Sequence, residues 1–416
     1  MQSTTFQPIQ QSQRTAIIDI LRGWALLGVV LMNYADAYYL GLDFKVFKPD
    51  TASGIIMGFA NIVFAAKSWT MLSFLFGYGF AVLMQNISSK GMNPYKFFTR
   101  RMFWLFVLAI INSAFFFGDI LKDYAIMGML LLLFYRCSAK TAFYICISLL
   151  VIIPGVSAFV ASLKMPGGME LLAPHFPLFQ SHNPFKVLWF GLIGTYKYEI
   201  LSPGYLITVH VVMFACFLLG LAAQKANFFS QLVENKKYIK RIFWSSLVFA
   251  LIMFGLFITT QRFKWTWMNY YQPRYLFILS SMIFIGSAIC WLYVAGKLKA
   301  LFRSMQVIGK MTLTNYITQN ILAVLLFSGF GLGLSFTHRI HFGFYMLFAL
   351  VIYVAQIYFS KWWLSKYHYG PIEWVWRQLS YGKRLPIRKA AMVEDPLLAE
   401  PSGEEVKPFS ALTPGS

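Results

Sequence analysis

Ten stretches of mostly apolar residues, each about 20 residues long, dominate this sequence and constrain the fold it can adopt. A helix of about 20 apolar residues crosses the hydrocarbon core of a bilayer. We therefore predict an all-α fold, a polytopic integral membrane helical bundle with about ten transmembrane helices. The shorter apolar segment 52–66 is predicted to be an interfacial or re-entrant helix. The ten predicted spans lie near 16–40, 68–87, 100–117, 119–135, 139–162, 205–224, 240–260, 274–296, 312–332 and 341–364.

The composition indicates the same class of protein. Of the 416 residues, 58% are hydrophobic and 12% are charged, whereas soluble domains carry about 25% charged residues. A disordered chain, a coiled coil and an ordinary cytosolic enzyme are thereby excluded. The net charge of +21 does not predict nucleic-acid binding, because the Lys and Arg residues lie between the apolar stretches. The four cysteines form no CxxC pair, which argues against a disulfide framework and a zinc site.

The positions of the basic residues predict the orientation in the membrane. With a cytoplasmic N-terminus, the inside segments carry more than twice as many Lys and Arg residues as the outside segments. This asymmetry follows the positive-inside rule and places both termini in the cytoplasm of a bacterial cell, with the protein in its cytoplasmic (inner) membrane. The predicted organisation is a cytoplasmic segment 1–15, a transmembrane domain 16–389 with an extracytoplasmic loop 163–204, and a disordered cytoplasmic tail 390–416.

An alternative interpretation of the N-terminus is a signal peptide cleaved after Ala37. The apolar stretch before Ala35-Asp36-Ala37 resembles such a leader. Asp19 and Arg22 interrupt the early part of that stretch. We therefore favour an uncleaved first helix.

The first predicted helix carries a polar stripe. At 100° per residue, Asp19, Arg22, Asn33 and Asp36 share an arc of about 100° on an otherwise apolar helix. An ionisable residue at membrane depth is costly and indicates function by default. We predict that these four residues bind substrate in a polar chamber. A structural ion pair between Asp19 and Arg22 is the alternative.

Two further acids follow the third predicted span, and two histidines lie in the long loop. Asp119 is well placed to cap a helix, and Asp123 lies one turn further on. His175 and His182 belong to the loop 163–204. We predict that these four residues supply acid–base catalysis at the outer face.

The ninth predicted span is unusually polar, with seven hydrogen-bonding side chains within residues 312–320. Such side chains can join neighbouring helices or line a polar cavity. Asn315 and Gln319 are predicted to contact substrate. His210, surrounded by Val and Phe in the sixth span, is interpreted as a core residue.

Five motifs give the chain a family resemblance over residues 14–384. It resembles the YeiB-like bacterial membrane proteins, which carry domain of unknown function 418. The motifs are DILRG at 19–23, FLFGYG at 74–79, GDIL at 118–121, GKMTLTNY at 309–316 and YGPIEWVWR at 369–377.

The first helix is also similar to that of membrane acyltransferases that act on envelope glycans. This resemblance implies transfer of an acyl group, with an acyl-CoA donor and an envelope glycan or lipid acceptor as partners besides the membrane lipids. Asn33 stands where acyltransferase family 3 has a histidine. A transporter without covalent chemistry and a structural membrane subunit are the alternatives. No cofactor and no metal site follow from the sequence.

Overall fold

The computed structural model describes residues 16–40, 50–263, 266–336 and 341–389, and within these ranges the fold is helical, with no strand beyond one isolated bridge. Short 3₁₀ or π-helical turns link several of the helices. The helices are α1 Ala16–Tyr39, α2 Thr51–Val63, α3 Lys67–Ser89, α4 Pro94–Ser113, α5 Leu121–Leu131, α6 Ala139–Ser162, α7 Gly168–Leu172, α8 Phe176–Phe179, α9 Pro184–Gly194, α10 His210–Lys225, α11 Lys236–Phe263, α12 Arg274–Val294, α13 Lys299–Gly309, α14 Thr312–Phe327, α15 Phe342–Lys366 and α16 Pro371–Tyr381.

Local sequence sets where several helices begin. The side chain of Asn93 accepts hydrogen bonds from the first backbone N–H groups of α4, and Pro94 occupies the first helical position. Ser138 caps α6 and Asn183 caps α9 in the same way. Asn and Ser at this position satisfy N–H groups that have no partner within the helix. Proline fits there because its missing N–H is not needed.

Seven stretches of helix in the described ranges are long and apolar enough to cross a membrane. The predicted spans 100–117, 119–135 and 312–332 fall on α4, α5 and α14, which are not among the seven. The basic residues of its first two turns make α4 less apolar, while α5 and α14 have only 11 and 16 residues. The membrane class follows from the seven stretches, and the count of ten remains a prediction. The seven are Ala16–Tyr39, Thr51–Ser89, Ala139–Ser162, Gly204–Lys225, Lys236–Thr260, Arg274–Val294 and Phe342–Lys366.

Helix α1 lies at the centre of the bundle. It packs against α3, α13, α14 and α15, and 72% of its most apolar window is buried, compared with 11% for α11. In contrast, α11 packs mainly against α12, and it leaves a long apolar face exposed. The helix that carries the polar stripe is therefore also the central helix, and the stripe lies inside the protein.

The segment 163–204, predicted to be an extracytoplasmic loop, is folded into short helices. Leu172, Phe176, Phe179 and Phe190 from this segment are buried in the same apolar core as α1. The segment therefore closes one end of the bundle. The predicted terminal segments 1–15 and 390–416 lie outside the described residues.

Glycines of the sequence motifs allow the central helices to approach closely. A Cβ atom at Gly77 of α3 would overlap the carbonyl oxygen of Phe217 in α10, and one at Gly220 of α10 would overlap that of Phe74 in α3. Gly23 and Gly309 make the same kind of contact between α1 and α13. Small residues at such crossings let helix backbones meet in a membrane.

We expect Gly77→Ala to destabilise the fold. The added methyl group must push α3 away from α10, which costs about 1–3 kcal/mol in a packed interior. Gly58→Ala in α2 is the matched control, because no atom lies within 4 Å of its Cβ position. Thermal unfolding in detergent should show a lower midpoint for Gly77→Ala alone. Equal midpoints for the two variants would contradict the close crossing.

Candidate functional site

The polar stripe of α1 borders a large internal cavity. Arg22, Asn33 and Asp36 line a cavity of about 1190 Å³. Arg22 and Asp36 are fourteen residues apart on one helix, which corresponds to about 21 Å along its axis. Asp19 is 1% exposed and accepts a hydrogen bond of 3.1 Å from the Arg22 guanidinium. Asp19 therefore holds Arg22, while Arg22, Asn33 and Asp36 face the chamber.

The end of the cavity beside Arg22 is strongly basic. We call this region, formed by Arg22, Arg101, Lys310 and Arg377, the basic end; the Glu373 carboxylate, one turn before Arg377 on α16, also lies in the cavity wall. Arg22 and Arg377 both lie close enough to Arg101 for their charges to repel its guanidinium group. Arg101 also stacks on Trp376, with its guanidinium carbon 3.6 Å from the ring centroid. Stacking of this kind holds a cation in place without neutralising it.

Gly79 leaves room for the Arg22 side chain at this end. A Cβ atom on Gly79 would lie 3.5 Å from Nη2 of Arg22. A larger side chain here would therefore occupy the space of the guanidinium. The FLFGYG motif thus has two roles, a close helix crossing at Gly77 and an open place for Arg22 at Gly79.

The middle of the cavity is apolar and the other end is acidic. Asp36 lies in the wall of this other end with Tyr198 and Tyr205. No Lys, Arg or His among the described residues forms an ion pair with Asp36. The middle section is lined by aliphatic and aromatic side chains, which include Leu26, Val29, Leu72, Phe76, Met102 and Leu105.

Behind the acidic end lies a group of ionisable residues that we call the carboxylate cluster, in which Tyr205 and His210 are half-buried and the others are buried: Asp119, Lys122, Asp123, Glu199, Tyr205 and His210. The ammonium group of Lys122 contacts Glu199 and lies 3.6 Å from the Asp123 carboxylate. Tyr205 donates a hydrogen bond of 3.0 Å to Asp123. His210 Nε2 is 3.3 Å from the other Asp123 oxygen. Burial raises the pKa of Glu199 to about 8, although the charge of Lys122 lowers it.

Asp119 ends a chain of polar side chains that begins at the cavity. Asn33 donates to Asn320, Asn320 donates to Asn112, and Asn112 donates to Asp119, with distances of 3.2, 3.3 and 2.9 Å. The Tyr316 hydroxyl also donates to Asp119 at 2.9 Å. The predicted helix cap is only partly realised, because α5 begins at Leu121 with Ile120 at the cap position. Asp119 accepts one weak bond of 3.3 Å from the Leu121 N–H.

The polar run of α14 mostly joins helices. Asn315 donates to Ser360 of α15 at 3.0 Å, and Gln319 donates to Gln356 of the same helix at 2.7 Å. Neither residue is in the cavity wall, whereas Tyr316 is. The structure thus places the side chains of Asn315 and Gln319 at the contact between α14 and α15 and not in the cavity wall.

The two loop histidines lie away from the cavity wall and from the carboxylate cluster. His182 Nδ1 is 2.7 Å from the carbonyl oxygen of Gly329, and His175 ends a short 3₁₀ turn. Their catalytic role remains a prediction without geometric support.

Sequence reasoning missed Arg101, Arg377, Glu199 and Tyr205, and it treated His210 as an isolated core residue. These side chains come from five different segments, and only the tertiary fold brings them together. The motif that contains Arg377 was a usable signal for the basic end.

The C-terminal motif YGPIE caps α14. The Glu373 carboxylate accepts hydrogen bonds from the N–H groups of Leu313 and Thr314, at 2.7 and 3.0 Å, and from the Thr314 hydroxyl. These bonds replace the missing cap at Met311. Burial raises the pKa of Glu373, and the hydrogen bonds oppose this effect.

We expect Glu373→Ala to lower the free energy of unfolding by about 1–2 kcal/mol, since it removes the cap of α14. Glu234→Ala, at an exposed position, is the control for loss of a carboxylate. Thermal unfolding and protease sensitivity in detergent would measure the difference. An unchanged midpoint for Glu373→Ala would show that α14 does not depend on this cap.

Comparison with known proteins gives relatives of similar length. A family model described as "Protein of unknown function (DUF418)" matches residues 223–383. The uncharacterized 39.9 kDa protein of the amylase 3′ region of Bacillus acidopullulyticus is 30% identical over 91% of this chain and 97% of its own length. The uncharacterized protein YxaH of Bacillus subtilis is 26% identical over 94% of this chain and its whole length.

The uncharacterized protein YeiB of Escherichia coli is 22% identical over 88% of this chain and 96% of its own length. No solved structure matches the chain significantly. The family model matches the C-terminal part, and the relatives align over almost the whole chain. The chain therefore belongs to the YeiB-like DUF418 family.

Proposed function

We propose that this protein binds an amphipathic anionic acyl donor in its cavity and transfers the acyl group to an acceptor at the acidic end. The observation that carries the proposal is a single cavity that joins the basic end to Asp36. A ligand that fills it must be elongated, anionic at one end and uncharged along its length. An acyl thioester with a phosphorylated carrier, such as acyl-CoA, has this character.

The basic end supports binding of a phosphate or carboxylate group. Guanidinium groups bind phosphate oxygens through paired hydrogen bonds. Of the three arginines, Arg22 has Asp19 as its acidic partner. Arg101 and Arg377 stack on the aromatic rings of Trp376 and Tyr369, which fixes the position of their positive charges in the cavity wall.

The acidic end supports proton transfer from an acceptor. Asp36 would take the proton of an acceptor hydroxyl while the oxygen forms a bond to the acyl carbon. The carbon–sulfur bond of the donor would break, and the leaving thiolate would take the proton from Asp36 and depart as a thiol. The other groups proposed for acid–base work, Asp119 and Asp123, lie behind Tyr316 and Tyr205 and would act through those hydroxyls.

The membrane setting assigned to this reaction rests on the predicted orientation. With the basic end at the cytoplasmic side, the donor would enter from the cytoplasm, and the acceptor would be an envelope glycan or lipid outside. The location in the bacterial inner membrane is part of the proposal.

Transport of an amphipathic anion without covalent chemistry is the second candidate. The specific observation in its favour concerns His210, whose two ring nitrogens are both engaged, Nδ1 with the Leu206 carbonyl at 2.6 Å and Nε2 with Asp123. His210 is thus not free to act as a base, and the cavity would then bind the anion for passage without covalent chemistry.

The experiment uses the full chain in liposomes with acetyl-CoA labelled in the acetyl group and an extract of envelope lipids and glycans as acceptor. We expect Arg377→Gln to reduce transfer at least tenfold when the donor is limiting, since it removes one contact to the anion. Asp36→Asn should abolish transfer and retain donor binding. Arg303→Gln, an exposed arginine of α13, is the matched control and should keep native activity.

Two results would decide against the enzyme. Background incorporation of label in the native chain and all variants would remove acyl transfer for this donor. Movement of label across the liposome membrane without a product of new mass, lost in Arg377→Gln, would establish transport instead.

A further inference from the structure

The carboxylate cluster holds more acids than bases. Asp119, Asp123 and Glu199 are each at most 3% exposed, and Lys122 is 5% exposed. The cationic partners within the cluster are Lys122 and, when protonated, His210. With all three carboxylates ionised, at least one negative charge would remain uncompensated. A buried unpaired charge is costly, and such a group takes up a proton instead.

Neighbouring elements do not remove this excess of acid. The titratable side chains next to the cluster are Tyr124 of α5, Tyr198 of the segment Thr195–Ile200 and Tyr316 of α14. Beyond them, Asp36 of α1 and Arg274 and Tyr275 of α12 interact with Tyr198. Arg274 is the cation of this set, and the described residues show no ion pair between Arg274 and a cluster carboxylate.

Three buried carboxylate oxygens in the cluster have no hydrogen-bond donor within the described residues: Oδ2 of Asp119 and both oxygens of Glu199. Of these, Oε2 of Glu199 is in ion-pair contact with the Lys122 ammonium group. Buried oxygens are normally hydrogen-bonded. A proton on a carboxyl group turns an oxygen without a donor into a hydroxyl and lowers the charge at the same time. The orphaned oxygens and the excess of acid thus point to the same ligand, a proton.

The backbone around the cluster has an irregular geometry. Glu199 lies in a π-helical segment, Thr195–Ile200, and Tyr205 lies in a second one, Gly204–Val209. Short π-helical segments are rare in proteins overall, and those that occur are often found at functional sites. Their wider turns place both side chains toward Lys122 and Asp123.

Tyr205 belongs both to the cluster and to the cavity wall. Its hydroxyl donates to Asp123 and also lies close to Glu199. A hydroxyl group both donates and accepts, so it can pass a proton between water in the cavity and a carboxylate. No other cluster residue lines the cavity in the described part of the chain.

We propose that Asp123, Glu199 and His210 form a proton-binding site that exchanges one proton with the cavity through the Tyr205 hydroxyl. The exchange is balanced. One O–H bond of a carboxyl group breaks, the Tyr205 oxygen accepts that proton, and the Tyr205 proton passes to cavity water. The site shares Asp123 and Tyr205 with the proposed acid–base work, but proton exchange does not require acyl transfer and would serve an enzyme or a proton-coupled transporter.

The test is infrared difference spectroscopy of the full chain in liposomes, titrated from about pH 5 to 9. We expect the C=O stretch of a buried protonated carboxyl group to vanish as the pH rises. Glu199→Gln or Asp123→Asn should remove this signal. Glu170→Gln, at an exposed carboxylate, should leave it unchanged. A spectrum without a titrating carboxyl signal, or a signal that survives both cluster substitutions, would overturn the proposal.

Tyr205→Phe tests the route separately from the site. This variant keeps the ring in the cavity wall and removes only the hydroxyl, so it avoids the folding risk of the charge substitutions. We expect the carboxyl signal to remain, its midpoint to move to higher pH by about one unit, and its hydrogen–deuterium exchange to slow at least tenfold. Exchange at the native rate would exclude Tyr205 as the route.

Discussion

The cost of placing charge inside an apolar bundle governs the arrangement of this protein. Charged residues on central helices must be paired, hydrogen-bonded or hydrated. All three solutions occur here. Asp19 is paired with Arg22, Asp119 is hydrogen-bonded by Asn112 and Tyr316, and Asp36 faces the cavity. The polar stripe would not be tolerated against lipid. The cavity is thus what accommodates it inside the bundle.

The motif glycines explain how a bundle can be tightly packed and still contain this space. Gly77 and Gly220 bring α3 against α10, while Gly23 and Gly309 bring α1 against α13. In these two helix pairs the backbones are in close contact. Long side chains such as Phe76 and Leu72 keep the remaining walls apart and line the cavity. The glycines of the sequence motifs therefore reflect close contacts between helix backbones. A residue that belongs to a motif is for this reason not necessarily a residue of the candidate site.

The sequence predicts the helical membrane class and the stripe of α1, because both depend on local periodicity. It does not predict the basic end or the carboxylate cluster, whose members come from distant segments. The sequence also does not predict which neighbour each polar side chain of α14 contacts. Asn315 and Gln319 point to α15, whereas Tyr316 between them reaches the cavity. The predicted count of ten differs from the seven long apolar stretches of the described residues for another reason, since apolar residues continue past Leu131, where α5 ends in a 3₁₀ turn.

The two tyrosines at the acidic end separate two kinds of chemistry. Tyr205 and Tyr316 both line the cavity, and their hydroxyls donate hydrogen bonds to Asp123 and Asp119. Within the described residues, Asp36 and Glu373 are the carboxylates in the cavity wall, whereas Asp123 and Asp119 lie behind neutral hydroxyl groups. An anionic ligand can approach this wall without the repulsion that bare Asp119 and Asp123 would cause. A binding chamber for anions and a buried store of negative charge can coexist in one bundle because these hydroxyls stand between them.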